Sequence, residues 1–267
     1  MWPGFPYGWR IPLIYVCIPA HNEERTIGVL LWKIRKVMRE FGRDYEVLVL
    51  NDASTDGTAE ALDRYRRVLP LRVLEEKQGV GYPGAVQRLL REALKRTNYP
   101  KRDAAVLMQA DFTESPDYIV PLIKSVEGGA DIVAGVVERS EHPVPRPVRM
   151  ARRFAPWVLG SAMRGAPVSD PLSGFRAYRL IVLKKALADF NGKPFLTTDG
   201  WASNVELLGL VAPHARRIVE APLTLRYDAD GRPSRLNAVR TLRGLLRVRR
   251  ERWERPAKEE EKARQRG

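Results

Sequence analysis

The residues able to do chemistry in this chain stand where apolar runs break off. Val106-Leu107-Met108-Gln109-Ala110-Asp111 is a short apolar run that ends in an amide, a small residue and a carboxylate. Such runs read as buried strands of a parallel sheet, and ligands sit beyond the carboxyl ends of those strands. Asp111 is therefore expected at the mouth of a site, although a strand-end carboxylate can equally do no more than cap a turn. Ser115-Pro116 follows with the residue types of an N-cap and a first helical position, which would pin the polar loop between strand and helix. Two earlier breaks have the same form: Pro19-Ala20-His21-Asn22-Glu23-Glu24 after an apolar run, and Asn51-Asp52-Ala53-Ser54-Thr55-Asp56-Gly57-Thr58 after another. A fourth segment, residues 77–85, offers the ammonium of Lys77 and glycines, Gly81 among them, that let backbone approach a ligand closely. Between Glu138 and Arg153 the chain is dense in proline and arginine, with Arg139, Arg146, Arg149, Arg152 and Arg153. Arg149 and Arg153 lie four apart on one helical face, which can grip a phosphate in forked geometry or simply meet water.

The elements that must position these residues are legible from their period. Residues 13–18 and 45–50 read as strands, and Ile27, Leu30, Leu31, Ile34, Met38 and Phe41 repeat at helical spacing between them. Strand, acidic loop and helix thus occur twice in succession, which predicts an α/β fold with a doubly wound, mostly parallel sheet beginning at its nucleotide-binding end. A third strand at 71–74, a helix through Lys95, the run ending at Asp111, a helix to Val126 and a strand at 131–137 continue the pattern, and there the alternation stops. Glycine-rich phosphate loops are absent, which argues against a Rossmann dinucleotide site or a P-loop.

Composition narrows the partners. The 267 residues are 44% hydrophobic, enough for a real core, and 46 Lys and Arg against 32 Asp and Glu give a net charge of +14. That balance favours an anionic partner: nucleic acid, an acidic membrane surface or phosphorylated substrates. Nucleic acid is not expected, because no recognised module or basic-aromatic interleaving is present. No apolar run approaches the roughly 18 residues that span a bilayer, and no signal-peptide apolar region is seen. A cytoplasmic protein, or one peripheral on the cytosolic face of a membrane, is expected. Cys17 is the only cysteine and reads as a core thiol, and His21, His142 and His214 are scattered, so no thiolate or histidine metal cluster is signalled. Residues 1–12 read as an aromatic, proline-rich arm and 256–267 as a disordered charged tail.

Taken together, Pro19-Ala20-His21-Asn22-Glu23, Asn51-Asp52-Ala53-Ser54-Thr55-Asp56-Gly57-Thr58, Gln109-Ala110-Asp111, Ser173-Gly174-Phe175-Arg176, Gly200-Trp201-Ala202-Ser203-Asn204-Val205-Glu206 and Gly231-Arg232-Pro233-Ser234-Arg235-Leu236 resemble the ordered motifs of glycosyltransferase family 2, specifically its polyprenyl (dolichyl) phosphate sugar synthases. The resemblance runs from about residue 13 to 245. It implies a nucleotide-diphospho-sugar transferase (GT-A) fold over 13–235, with a nucleotide half at 13–137 and an acceptor half at 138–235. Glu23 and Asp52 would hold the nucleoside, in a site that also takes in Pro19, Ala20, Asn22, Lys77, Gly81, Gln109 and Ala110. Asp111 with Gln109 would hold a divalent metal, Mg or Mn, on the diphosphate. Arg139, Arg149, Arg153, Arg226, Ser234 and Arg235 would receive the acceptor's phosphate, and Asp111, Arg139 and Asp199 would stand closest to the chemistry.

The chain departs from the family pattern at named positions. Gln109 stands where the family usually has the first aspartate of Asp-x-Asp, and Thr113 where it has glutamine. An amide oxygen can ligate a metal but brings no charge, so binding is expected to be weaker or to lean on the diphosphate. Asn51 replaces the first of two usual aspartates, and Ser203 and Asn204 replace an aromatic residue and a glutamine.

From Leu236 to Trp253, apolar Leu236, Val239, Leu242, Leu246 and Trp253 alternate with Arg240, Arg243, Arg247, Arg249, Arg250 and Arg252. A basic amphipathic helix over 236–255 suits an anionic membrane surface or a packing seam on the catalytic domain. The reading is an inverting transferase moving a hexose, mannose or glucose, from a GDP- or UDP-linked donor to a polyprenyl phosphate; whether a separate membrane subunit anchors it stays open. Two rivals remain. One is a soluble transferase with a saccharide or small phosphorylated acceptor, needing Asp170 or Asp199 as general base. The other is a non-catalytic sugar-nucleotide-binding or scaffolding protein, motivated by Asn51, Gln109 and Thr113.

Overall fold

Alternate residues of a strand face opposite sides of a sheet, and in this chain both sides are apolar. In β1 (Ile14–Ala20), Ile14, Val16 and Ile18 pack into one core while Tyr15 and Cys17 pack into another. Strands buried on both faces are covered by helices on both faces. The computed structural model shows that arrangement, and it describes residues 12–140, 144, 146–160, 166–225 and 238–250. The first face is covered by α1 (Ile27–Phe41), whose Ile27, Leu30, Leu31, Ile34 and Met38 are buried, and by α4 (Ile119–Glu127). The second is covered by α3 (Gly81–Arg96), α6 (Leu180–Ala186) and α7 (Ala202–Val211).

β2 (Tyr45–Asp52), α2 (Thr58–Tyr65), β3 (Leu71–Glu76), β4 (Ala104–Leu107) and β5 (Ile132–Ser140) confirm the expected alternation. Two strands were not anticipated from the sequence, β6 (Arg176–Arg179) and β7 (Ile218–Leu225). Among the described residues the seven strands run in the order β3-β2-β1-β4-β6-β5-β7. The β1–β2, β2–β3, β1–β4 and β5–β7 pairs are parallel, and β6 is antiparallel to both β4 and β5. The reading that the alternation ends after residue 137 is thereby corrected. β6 is Arg-Ala-Tyr-Arg, with no apolar run to announce it, and owes its burial to the two strands that flank it. β7 carries Glu220 and Pro222 on an edge position, where a missing N–H is tolerated.

The chain winds from β1 outward through β2 and β3, then crosses back to place β4 on the other side of β1. That reversal opens a crevice at the carboxyl ends of β1 and β4, the position where α/β sheets take ligands. Beyond the sheet, α5 (Arg146–Leu159) and α8 (Ala238–Arg250) pack on each other and on α7 through a small apolar cluster of Ala155, Val158, Leu159, Leu172, Val205, Leu245 and Val248. Among the described residues no helix is long and apolar enough to cross a membrane. The expected arm up to residue 11, Arg226, Ser234, Arg235 and the tail at 256–267 lie outside the described residues.

Candidate functional site

The loops after β1 and β2 are tied to each other rather than hanging separately from the sheet. The Asn22 N–H donates to Ser54 Oγ at 3.0 Å and Asn22 Oδ1 accepts the Thr55 N–H at 2.8 Å. The Glu23 N–H donates to Thr58 Oγ1 at 2.8 Å, and the buried Glu23 carboxylate accepts from Thr26 Oγ1 at 3.1 Å. His21 Nδ1 lies 2.6 Å from the Asp52 carbonyl oxygen. A carbonyl only accepts, so the imidazole carries a proton on Nδ1. Among the described residues the non-glycine positions with positive φ are Asn22 (54°), Ala53 (51°), Phe112 (61°) and Asn191 (43°). The first three sit in the loops after β1, β2 and β4. Strained backbone of this kind clusters at functional sites, held by the surrounding contacts.

Asp52, at the end of β2, is buried and accepts the Val80 N–H at 2.6 Å with one carboxylate oxygen and the Gly81 N–H at 2.9 Å with the other. Gly81 has φ 69°, a left-handed value open to glycine at no cost, so the turn into α3 is bent over and fastened to β2. Lys77 lies exposed just before that turn. Asn51 donates through Nδ2 to Glu75 at 2.8 Å, and its Oδ1 is buried without a hydrogen-bond partner. Pro19 is half-buried and Ala20 buried at the last positions of β1.

The segment after β4 folds back on itself. The Met108 N–H still pairs with Cys17 O at 3.1 Å, extending the sheet by one bond, and Asp111 then accepts the Thr113 N–H at 3.0 Å. Ser115 caps the following 3-10 turn, its Oγ accepting the Asp117 N–H, with Pro116 at the first position as expected. Glu114, 2% exposed, accepts the Gln109 N–H at 3.2 Å and the Gln109 side-chain amide Nε2 at 3.3 Å. Burial, and next to it the charge of Asp111, push the Glu114 carboxyl up to about 7, against opposing hydrogen bonds from Gln109 and the attraction of Arg152. The donor set fits a hard divalent cation. Such ions are bound through one or two carboxylates plus substrate phosphates, and Asp111 stands half-buried at the crevice with the Gln109 amide two residues away. Among the described residues no group of three or more His, Cys, Asp and Glu converges to hold a metal by itself, so phosphate oxygens would have to complete the shell.

On the other side of the crevice the arginines divide. Arg139 lies on β5 opposite Thr224, at a register shift that follows Val137; bulges of this kind re-aim a strand beside a site. Arg149 and Arg153 are both exposed on α5, one face as expected. Arg152 points the other way. It pairs with the buried Asp170 at 3.1 Å and lies over the Trp201 ring at 5.7 Å. Asp170 also accepts the Leu172 N–H at 3.2 Å, so this candidate base serves to fasten α5 to the 166–175 loop. Asp199 is exposed, in an open groove of about 560 Å³ whose other walls include Arg240, Arg243 and Arg247 of α8. The loop before it is held by the buried Glu206, which accepts from the N–H and hydroxyl groups of Thr197 and Thr198 at 2.6 to 3.0 Å.

Ser203 and Asn204 belong to the framework. Ser203 Oγ donates to Gly200 O at 2.6 Å. Asn204 accepts from the Tyr82 hydroxyl at 2.8 Å and donates to Leu172 O at 3.0 Å, and its carbonyl accepts from the fully buried Arg176 at 2.6 Å. Burial drives the Tyr82 hydroxyl well above its ordinary range. A Cβ on Gly174 would stand 2.8 Å from that hydroxyl, which explains the glycine. Sequence reasoning passed over Glu114, Arg152 as distinct from its neighbours, Tyr82 and Trp201. For Arg152 a signal existed: at 148, 152, 155 and 159 it falls in line with Val148, Ala155 and Leu159 at helical spacing, three of the buried residues of α5, so its face could have been separated from that of Arg149 and Arg153.

The profile of glycosyl transferase family 2 matches residues 15–187. The chain is 27% identical over 222 residues to a dolichol-phosphate mannosyltransferase of Pyrococcus furiosus, covering 82% of this chain and 58% of that one. It is 29% identical over 217 residues to an undecaprenyl-phosphate mannosyltransferase of Micrococcus luteus, covering 79% and 82%. Glucosyl-3-phosphoglycerate synthase of Mycobacterium tuberculosis with phosphoglyceric acid superposes with a TM-score of 0.59 at 20% identity, covering 89% of this chain and 80% of that one. The same synthase with Mn2+, UDP and glucosyl-3-phosphoglycerate gives 0.57 at 20% identity, covering 92% and 83%. The fold is thus the GT-A arrangement that the motifs imply.

Proposed function

The chain belongs to glycosyl transferase family 2, and on that premise we propose that it moves a hexose, mannose or glucose, from a GDP- or UDP-linked donor to a polyprenyl phosphate at an anionic membrane surface. The observation that carries the acceptor is the exposed face of α5. Met150, Phe154 and Trp157 recur at helical spacing and stand in solvent, Trp157 at 81%, beside exposed Arg146, Arg149 and Arg153. On the neighbouring α8, Leu242 and Leu246 are exposed next to Arg243 and Arg247. Apolar residues interleaved with arginine on an outward face suit the boundary between acyl chains and anionic headgroups. The two mannosyltransferases named above act, by their names, on dolichol and undecaprenyl phosphates. The chain spans 58% of the length of the first of them, so the acceptor remains a proposal for this chain.

The chemistry follows from charge. A phosphate monoester is largely dianionic at neutral pH because its second pKa is about 6, so an oxygen of it can attack the anomeric carbon without a strong base. The new bond forms between that oxygen and the carbon, the bond to the donor's β-phosphate breaks, and the nucleoside diphosphate leaves from the opposite face, inverting the centre. Pro19 to Glu23, Asp52 and the Lys77-to-Gly81 turn would hold the nucleoside and diphosphate. Asp52 keeps lone pairs beyond those used by Val80 and Gly81 and can still accept a donor from the base. Asp111, with the Gln109 amide, would hold a divalent cation, Mg2+ or Mn2+, which supplies neutralisation of the charge that develops on the leaving diphosphate. Arg139, Arg149 and Arg153, with Arg226, Ser234 and Arg235, would orient the acceptor phosphate.

A second reading is favoured by the groove that holds Asp199 between Thr198 and three arginines of α8. There a carboxylate could take a proton from the hydroxyl of a small phosphorylated acceptor. One experiment separates the two: labelled GDP-mannose and UDP-glucose are offered with polyprenyl phosphate in vesicles, and in parallel with soluble hydroxy acids bearing a phosphate. Product in the lipid arm alone is expected. Product in the soluble arm alone would move the chain to the second reading, and none in either would leave it without the proposed activity.

A further inference from the structure

We propose that Glu114 is a positioning residue that lets Gln109 serve where a carboxylate would ordinarily stand, by fixing the amide so that its carbonyl oxygen faces the crevice. The inference rests on the donor site proposed above and goes beyond it in assigning a buried residue outside the motif. Gln109 stands at the end of the β4 run, two residues before Asp111, and is half-buried. An amide has a donor end and an acceptor end, and only the acceptor end is of use to a cation. Glu114 lies behind it, 2% exposed, and receives both the main-chain N–H and the side-chain Nε2 of Gln109, one on each carboxylate oxygen. In this arrangement Glu114 Oε1 accepts from Gln109 Nε2, so Glu114 holds the donor end of the amide. The carbonyl end is then turned away from Glu114 by the planarity of the group.

The same arrangement explains why the position carries glutamine. An aspartate at 109 has no side-chain N–H to offer, so Glu114 would lose that donor and two carboxyl groups would face each other beside Asp111. Glutamine supplies the donor that Glu114 accepts and removes that contact. Groups that orient a ligand from behind typically change metal affinity by about 10 to 100-fold when removed.

The test uses the full chain in four forms: wild type, Glu114→Gln, Gln109→Asp and the double variant. Thermal melting without metal or nucleotide is read first, then GDP and UDP binding by calorimetry with and without Mn2+. Glu114→Gln, which keeps the shape but can bond either end of the amide, is expected to stay folded and to weaken the Mn2+-dependent part of nucleotide binding about tenfold. Its metal-free binding should be unchanged. Gln109→Asp alone is expected to lower the melting temperature, and adding Glu114→Gln to it to restore both stability and metal dependence. Unchanged Mn2+ dependence in Glu114→Gln, or a Gln109→Asp variant as stable as wild type, overturns the role of Glu114 while leaving the donor site standing. No Mn2+-dependent binding by the wild type overturns the donor site, and this role with it.

Discussion

The loops at the carboxyl ends of β1, β2 and β4 and the paired helices α5 and α8 are built on opposite principles. In the first region polar side chains are spent on the main chain of neighbouring loops: Ser54 on the Asn22 N–H, Asn22 on the Thr55 N–H, Asp52 on the N–H groups of Val80 and Gly81, Glu114 on the Gln109 N–H. Almost no large apolar group is presented outward there. In the second region the inward contacts are apolar, with Ala155, Val158, Leu159, Leu245 and Val248 in one cluster. The outward face carries Met150, Phe154, Trp157, Leu242 and Leu246 among arginines. The difference fits two kinds of ligand. A small polyanion needs preorganised donors and acceptors fixed before it arrives, whereas a lipid phosphate needs a surface that an interface can accept.

Substitutions should break the two regions in different ways. The largest effect is expected from Asp111→Ala, which should lower turnover by about 100- to 1,000-fold, the range for losing a principal charge-stabilising group, with little change in melting; a steady-state assay beside a thermal melt checks both. Arg152→Ala comes next. It leaves buried Asp170 without its partner, which costs about 3 to 5 kcal/mol and should lower the melting temperature by about 10 °C. Arg152→Met with Asp170→Asn should recover most of that loss, since no unpaired charge remains. Trp157→Glu should reduce binding to anionic vesicles by about tenfold or more, while calorimetric nucleotide binding stays at the wild-type value. A parallel fall in both would mean that the two regions are not separable. The smallest change is expected for Arg149→Ala, which should raise the KM for lipid phosphate by about fivefold at nearly constant kcat, because one exposed guanidinium among several is removed.

The two regions were also unequally legible in the sequence. Strands β1, β2, β4 and β5 announce themselves as apolar runs that end in polar residues, and β3 by Leu71, Val73 and Leu74. The strand-end loops could be read as a site from that pattern alone. β6 could not: Arg176 is fully buried in a strand that reads as polar, its two terminal nitrogens donating to Asn204 O and Pro171 O at 2.6 Å each. Its burial is decided by the neighbours it inserts between, a tertiary fact with no local period. The same holds for Glu114, whose partner is set by a backbone reversal at Phe112 with φ 61°, and for Arg152, which only the packing of α5 separates from Arg149 and Arg153. Asn204, a departure from the family pattern, is explained by its buried bond to Tyr82. Nothing in the structure explains why Thr113 replaces the usual glutamine.

The central claim is that the crevice between β1 and β4 receives a nucleoside diphosphate through Asp111 and a divalent cation. Calorimetric titration of the wild type and Asp111→Ala with GDP and UDP, each with and without Mn2+, addresses it directly. One nucleotide is expected to bind the wild type more tightly with Mn2+ present, and Asp111→Ala to lose the Mn2+-dependent increment. Binding that ignores both the metal and Asp111, or no binding of either nucleotide, would contradict it.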